Sequence, residues 1–183
     1  MSIINPTREF VELNKKKHDR NTFDCNKESL NDFLKKNASQ NMKAGVSKTF
    51  VLPAEAAEGE KAAVCSFYTL TPSQIERETI PDNKVQKSLP RYPVPVILIG
   101  QLAVNSQCQG QGLGEITLIK ALNHCVDLAE KIAFQAVVVD VLDDDAEKFY
   151  DQYGFLKFEK KDSSEKLRLY MPMKTIKTLF GTN

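Results

Sequence analysis

Three glycines at alternate positions form the part of this sequence best suited to binding an anion. Gly110, Gly112 and Gly114 lie in the stretch QGQGLG, residues 109–114, directly before a run with helical periodicity. Glycine lets the backbone turn sharply and approach a ligand closely. The first turn of a helix adds unpaired N–H groups and the positive end of the helix dipole. This combination is typical of a phosphate-binding turn.

The spacing excludes two common phosphate motifs. The dinucleotide pattern G-x-G-x-x-G would require a third glycine at position 115, which is Glu115. The Walker pattern ends in G-K-[ST], and the sequence contains no such triplet. The turn therefore does not belong to either of these classes of nucleotide site.

The segments on both sides of the turn explain how it is positioned. The run VILIGQLAV, residues 96–104, has the continuous apolarity of a strand that is buried on both faces. After the turn, apolar residues at helical spacing predict an amphipathic helix, and a second buried strand follows at Ala136–Val141. The apolar face of that helix consists of Leu118, Leu122, Cys125, Ala129 and Ile132.

The remaining segments complete a mixed architecture. Asn26 is expected to cap an amphipathic first helix, and residues 47–53 and 62–70 read as two antiparallel strands. Five prolines between 71 and 95 predict a short helix near 72–78 and then a loop. A helix at 145–153, ended by Gly154, precedes two closing strands. We expect one α+β domain over residues 1–183, with a mostly antiparallel sheet, a central parallel strand pair and helices on both faces.

Composition sets limits on function. The 183 residues suit one packed core, and the net charge of +1 provides no overall field for nucleic acid or membrane. No apolar run approaches the roughly 20 residues that span a bilayer, so a soluble, cytoplasmic protein is expected. Four scattered cysteines and two histidines argue against a metal site and favour reduced thiols.

The turn and its surroundings resemble the GCN5-related N-acetyltransferases (GNAT). The residues from Gln109 to Gly114 match the signature Q/R-x-x-G-x-G/A behind a buried strand, and DDDAEKFYDQYGF resembles the second signature of that family. The resemblance implies acetyl-CoA as cosubstrate and a GNAT-type sheet whose parallel pair is splayed where acetyl-CoA binds. It places the pyrophosphate on Gln109, Gly110, Gln111, Gly112, Leu113 and Gly114.

The same resemblance assigns catalytic roles. A backbone N–H of Leu102, Ala103 or Val104 is expected to stabilise the oxyanion, and Tyr150 is expected to protonate the leaving thiolate. Tyr153 has no match in the pattern. Asp143 stands where many members carry Asn, so it either contacts the pantetheine arm or acts as an acid at a helix N-terminus.

A closer resemblance extends over nearly the whole chain. The stretches HDRNTFDC, YPVPVILIGQLAV, QGQGLG and LYMPMKTI are similar to the acetyltransferase toxins of bacterial toxin–antitoxin modules. This implies acetylation of the α-amine of aminoacyl-tRNA, neutralisation by a ribbon-helix-helix antitoxin, and a homodimer. The alternatives are an acetyltransferase for a small-molecule or protein amine, or a non-enzymatic acetyl-CoA-binding module.

The charge of the chain bears on the choice of acceptor, because tRNA binding requires a basic surface. Basic residues around the first predicted helix and in the proline-rich loop either form such a patch or are simply solvated. They are Lys15, Lys16, Lys17, Arg20, Lys35, Lys36, Lys43, Lys48 and Arg91.

Overall fold

The computed structural model describes residues 4–158 and 167–182. The strands in these ranges are β1 (Val11–Glu12), β2 (His18–Asp19), β3 (Lys48–Pro53), β4 (Ala62–Ile75), β5 (Val94–Val104), β6 (Ala136–Asp140), β7 (Leu156–Lys157) and β8 (Arg168–Pro172). The α-helices are α1 (Glu28–Asp32), α2 (Ala38–Lys43), α3 (Asn83–Ser88), α4 (Leu113–Ala129), α5 (Asp144–Gln152) and α6 (Met173–Leu179). A π-helical turn occupies Phe33–Asn37, and 3-10 helices occupy Arg77–Thr79 and Ser106–Cys108.

The first of two compact units contains the described residues up to Thr71 together with Gly100–Ala121. Its strands follow the order β1, β3, β4, β5. The pairs β1–β3 and β3–β4 are antiparallel, while the short strand β2 runs parallel to β4. This half of the sheet is therefore mostly antiparallel, as the sequence predicted.

A core of aromatic and aliphatic side chains stabilises the first unit. Phe23 packs edge-on against Phe67 with ring centroids 5.3 Å apart, and Phe33 stacks on the same ring. Burial of each such side chain contributes about 1.5–3 kcal/mol. The first helical segment is amphipathic as expected, since Phe33, Leu34 and Ala38 are all inaccessible or nearly so, and Leu30 is partly buried against the same core.

The second unit contains Pro72–Ile99 and the described residues from Leu122 onward. Its strands follow the order β5, β6, β8, β7. Strands β5 and β6 are parallel over Val96–Ile99, and β8 is antiparallel to both β6 and β7. Four consecutive buried residues of β6, 136–139, explain its central place, because both of its neighbours are strands. The mixed sheet with a parallel pair is thus confirmed, whereas the single-domain interpretation stays a prediction.

The N-terminal start of the first helix differs from the sequence expectation. Lys27, not Asn26, is the N-cap of α1, and its side chain makes no cap hydrogen bond. Asn26 instead adopts a left-handed conformation with φ +62°, and it is the only non-glycine residue of the described chain to do so. Asparagine is common at both positions, so its residue type alone did not distinguish them.

The proline-rich segment also differs. Strand β4 continues through Pro72 to Ile75, where a short helix was expected, and the α-helix of this region is α3. Proline fits extended backbone where its missing N–H is not needed for pairing. Among the described helices none is long and apolar enough to cross a membrane.

Candidate functional site

The glycine turn is an exposed loop that is fixed at both ends. Cys108 and Leu113 are buried in one apolar cluster with Leu52 and Cys65, whereas residues 109–112 are exposed. Gly110 and Gly112 both have φ +75°, a conformation that residues with a Cβ rarely adopt. Gly114 lies in the first turn of α4 and is not among the positive-φ glycines. Two of the three glycines are therefore required by backbone conformation.

The backbone of this turn has unused hydrogen-bond donors. The N–H groups of residues 110–115, six in a row, donate to no acceptor among the described residues. The first bond of α4 runs from the N–H of Ile116 to the carbonyl of Gly112, at 3.1 Å. Unpaired N–H groups at the start of a 17-residue helix, together with its dipole, attract an anion.

Buried hydroxyl groups tie the start of α4 to the sheet. The Thr117 hydroxyl donates to the carbonyl of Leu113 and lies 2.9 Å from the Ser66 hydroxyl on β4. Both side chains are fully buried. The helix N-terminus is consequently held at a fixed place on β4.

The predicted oxyanion segment is connected to the turn. Gln109 donates a hydrogen bond from Nε2 to the carbonyl of Val104, at 3.0 Å. Ala103 is buried in the main core of the first unit, and Leu102 and Val104 are half-buried. The structure thus brings Gln109 and Val104 together, and it gives the Gln109 side chain a scaffolding contact.

Asp143 and Tyr150 lie on one helix of the second unit. Asp143 is the N-cap of α5, and its Oδ1 accepts a hydrogen bond from the backbone N–H of Ala146 at 3.0 Å. Of the two roles predicted for Asp143, the helix N-terminal one has a direct contact. Tyr153 is the C-cap residue of the same helix, directly before Gly154, whose φ is +85°.

Tyr150 is packed between aromatic rings. Its ring meets Phe149 and Phe155 edge-on, with centroid distances of 5.2 and 5.3 Å. Burial raises the pKa of the Tyr150 hydroxyl above its usual value, because the charged phenolate is poorly solvated there. No hydrogen bond to this hydroxyl occurs within residues 4–158 and 167–182. The phenol therefore keeps its proton, and no described residue accepts it.

The four cysteines are free and buried. Burial raises the pKa of Cys65 and that of Cys125 to about 12, and it also raises the pKa of Cys25 and of Cys108. Such thiols are poor nucleophiles, because the thiolate is the reactive form. In the described part of the chain no cluster of three or more His, Cys, Asp or Glu could hold a metal ion.

Comparisons with known proteins confirm the family resemblance that the sequence indicated. Residues 96–177 match the family model of the acetyltransferase (GNAT) domain. A tRNA-acetylating toxin of Mycobacterium tuberculosis is 33% identical over 163 residues, which cover 89% of this chain and 91% of that protein.

Two solved structures are similar over 94% of this chain. AtaT complexed with acetyl-methionyl-tRNAfMet has a TM-score of 0.83 at 26% identity, over 98% of its own chain. AtaTR bound with AcCoA has a TM-score of 0.79 at 27% identity, over 97% of its chain.

Proposed function

This chain belongs to the GNAT acetyltransferases, and from that premise we propose that it acetylates the α-amine of aminoacyl-tRNA and thereby blocks translation. The acetyltransferase activity and the use of acetyl-CoA follow from the family. The tRNA acceptor is supported by the relative that acetylates tRNA and by the AtaT structure with an acetylated initiator tRNA. The alternative acceptor is a small-molecule or protein amine.

The observation that carries the assignment of the acetyl-CoA site is the row of six unpaired N–H groups at the N-terminus of α4. A diphosphate fits this site, because its oxygens accept hydrogen bonds and its charge is stabilised by the helix dipole. We therefore assign the pyrophosphate of acetyl-CoA to the backbone of Gln109–Gly114. When bound, acetyl-CoA supplies the activated acetyl group as a thioester.

The residues of this chain provide polarisation and a proton. A backbone N–H within Leu102–Val104 is proposed to stabilise negative charge on the thioester oxygen, a role worth several kcal/mol in other acyl transfers (~3 kcal/mol per donor). Tyr150 is proposed to protonate the departing thiolate, and its buried, proton-retaining phenol suits a general acid. Asp143 orients α5, which carries Tyr150.

Partners are part of the same proposal. By family resemblance, a ribbon-helix-helix antitoxin neutralises the enzyme and the active form is a homodimer. Coexpression of a small ribbon-helix-helix protein that is encoded beside this one tests the first point. It should relieve growth arrest and co-purify with the chain, and neither effect is expected from an unrelated protein of that class.

The acceptor is tested with labelled acetyl-CoA. Bulk charged tRNA, deacylated tRNA, a polyamine and a peptide are offered separately, and we expect label in charged tRNA alone. The label should leave with the amino acid when the ester bond is hydrolysed. Acetylation of the polyamine or the peptide, without that of any tRNA, would support the alternative acceptor.

The proton donor is tested on the same reaction with a matched pair of variants. Tyr150→Phe should lower kcat by about 10²- to 10⁴-fold, the usual range for a general acid. Tyr153→Phe, on the same helix, should leave kcat nearly unchanged. Equal activities of the two variants would remove Tyr150 from the mechanism.

A further inference from the structure

Asn105, which follows β5 directly, is a buried polar residue without a role so far. It is 2% exposed. Its backbone N–H donates to the carbonyl of Cys65 at 2.8 Å, and its Nδ2 donates to the carbonyl of Val64 at 3.2 Å. Its Oδ1 accepts the backbone N–H of Gln107 at 3.1 Å. One side chain thus joins β4 to the 3-10 helix Ser106–Cys108.

The same 3-10 helix is held from a second direction. The N–H of Ser106 donates to the carbonyl of Asp24 at 2.7 Å. The Asp24 carboxylate in turn accepts hydrogen bonds from the N–H of Asn26 and from Asn31 Nδ2, so its own main chain is fixed. These bonds also give a physical role to Asp24 of the HDRNTFDC stretch.

The position of the glycine turn depends on these anchors. The N–H groups of residues 110–115 have no partners among the described residues, so beyond Gln109 the turn is not held by its own backbone donors. It begins immediately after Cys108 and ends at α4, which Thr117 ties to β4. A shift of the 3-10 helix would therefore move the first donors of the turn away from those of α4.

We infer that Asn105 is a positioning residue for acetyl-CoA: it fixes the 3-10 helix so that the N–H groups of residues 110–115 point at one diphosphate. The inference rests on the proposed function, because it assigns the pyrophosphate to this turn. Asn105 itself lies outside the assigned contact residues. Its effect is transmitted through the backbone of residues 106–108.

The experiment is calorimetric titration of the full chain with acetyl-CoA. The variants are Asn105→Ala, which removes both side-chain hydrogen bonds, and Asn105→Ser, which retains a hydroxyl able to cap the Gln107 N–H. Gln107→Ala is the matched control, because only the backbone of Gln107 takes part. Stoichiometry reports the folded fraction, and Kd reports the geometry of the folded turn.

We expect Asn105→Ala to raise Kd about three- to tenfold, with kcat at saturating acetyl-CoA within about twofold of wild type. Asn105→Ser should fall between Asn105→Ala and wild type, and Gln107→Ala should match wild type. A lower stoichiometry at an unchanged Kd would mean a purely structural Asn105 and would overturn the inference. If Asn105→Ala does not fold, the comparison is between Asn105→Ser and Gln107→Ala. A higher Kd for Asn105→Ser supports the inference, and an equal Kd overturns it.

Gly112→Asp separates this inference from the proposed function. It combines backbone strain at φ +75° with a negative charge beside the phosphates, so it should abolish binding, while the neutral Gly112→Asn should retain part of it. Wild-type affinity in Gly112→Asp would contradict the proposed site itself. Loss of binding in Gly112→Asp with a normal Kd in Asn105→Ala would overturn the positioning role alone.

Discussion

The tyrosine proposed as proton donor has an unusual protonation range. Burial disfavours the charged phenolate of Tyr150 and so raises its pKa above the normal value of about 10. The active, protonated form therefore predominates at every pH below about 10. Ionisation of Tyr150 limits the reaction only at higher pH.

This predicts the shape of the pH profile. If kcat falls with rising pH below about pH 9, the titrating group should not be Tyr150. The midpoint of that fall should therefore be the same in Tyr150→Phe as in wild type, although the rate is lower. The measurement is kcat against pH for wild type and variant, with Tyr153→Phe alongside. Disappearance of that fall in Tyr150→Phe alone would show that the phenol titrates in the neutral range.

The cysteines are predicted to be chemically inert. Cys65 and Cys125 are fully buried with a pKa of about 12, so almost no thiolate exists at neutral pH. Treatment of the native protein with a thiol reagent should leave turnover unchanged, and thiol titration should require denaturant. Single Cys→Ala variants should lose stability by about 1–2 kcal/mol yet keep kcat. Loss of turnover in a folded variant would point to a covalent acetyl-cysteine.

At the scale of an element, the link before α1 depends on one left-handed residue. Asn26 has φ +62°, which costs a residue with a Cβ roughly 1–2 kcal/mol, less for asparagine. Asn26→Ala should therefore lower the free energy of unfolding by about 1 kcal/mol. Asn26→Gly should change it by less than about 0.5 kcal/mol, because relief of strain offsets the flexibility of glycine in the unfolded chain.

The measurement is urea denaturation of both variants beside wild type. If Asn26→Ala were as stable as Asn26→Gly, the left-handed conformation would not be strained in solution.

Local chemistry made the backbone around the proposed site predictable from sequence. The turn was found because glycines suited to positive φ and a helix N-terminus are both local features, and Gly110 and Gly112 do form a turn directly before α4. The α5 assignment succeeded for the same reason, since Asp143 and Gly154 mark its two ends. These features depend on neighbours within a few residues.

Distant contacts were not predictable. Asn105 bonds to Val64, 41 residues away, and Ser106 bonds to Asp24; a single sequence gives no signal for either pairing. The π-helical turn was also missed. There the Arg20 guanidinium donates hydrogen bonds to the Leu34 carbonyl and to the Ser39 hydroxyl. The Leu34 carbonyl thereby gains a partner at a point where the backbone departs from α-helical hydrogen bonding.

At the scale of the whole molecule, ion pairs reduce the number of basic side chains that are available to bind tRNA. Lys36 is paired with Asp32 at 2.8 Å and Lys48 with Glu12 at 2.7 Å, while Arg20 is used by the π-helical turn. A charge patch in the first unit would therefore depend on the basic residues that remain, of which Lys15, Lys16, Lys17 and Lys43 are exposed and Lys35 is half-buried. Lys15 and Lys16, which lie side by side in this set, are therefore the residues to substitute.

The corresponding prediction concerns salt. Acetylation of charged tRNA should fall steeply as salt rises, and Lys15→Glu with Lys16→Glu should flatten the log–log slope by roughly 0.7–0.9 for each phosphate that these two lysines neutralise. A control with equal net charge, Lys131→Glu with Lys174→Glu, should keep the wild-type slope. Identical slopes for all three proteins would place tRNA binding elsewhere or exclude a polyanionic acceptor.

The interleaving of the two units has a consequence for synthesis on the ribosome. All residues of the first unit, including the turn assigned to acetyl-CoA, have been translated once Ala121 has been added. Tyr150, in the second unit, is added 29 residues later. At about 5–20 residues per second, this interval lasts roughly 1.5–6 s. The backbone proposed to hold the acetyl donor is therefore synthesised before the proposed proton donor, so acetyl transfer by the proposed route has to wait for the second unit.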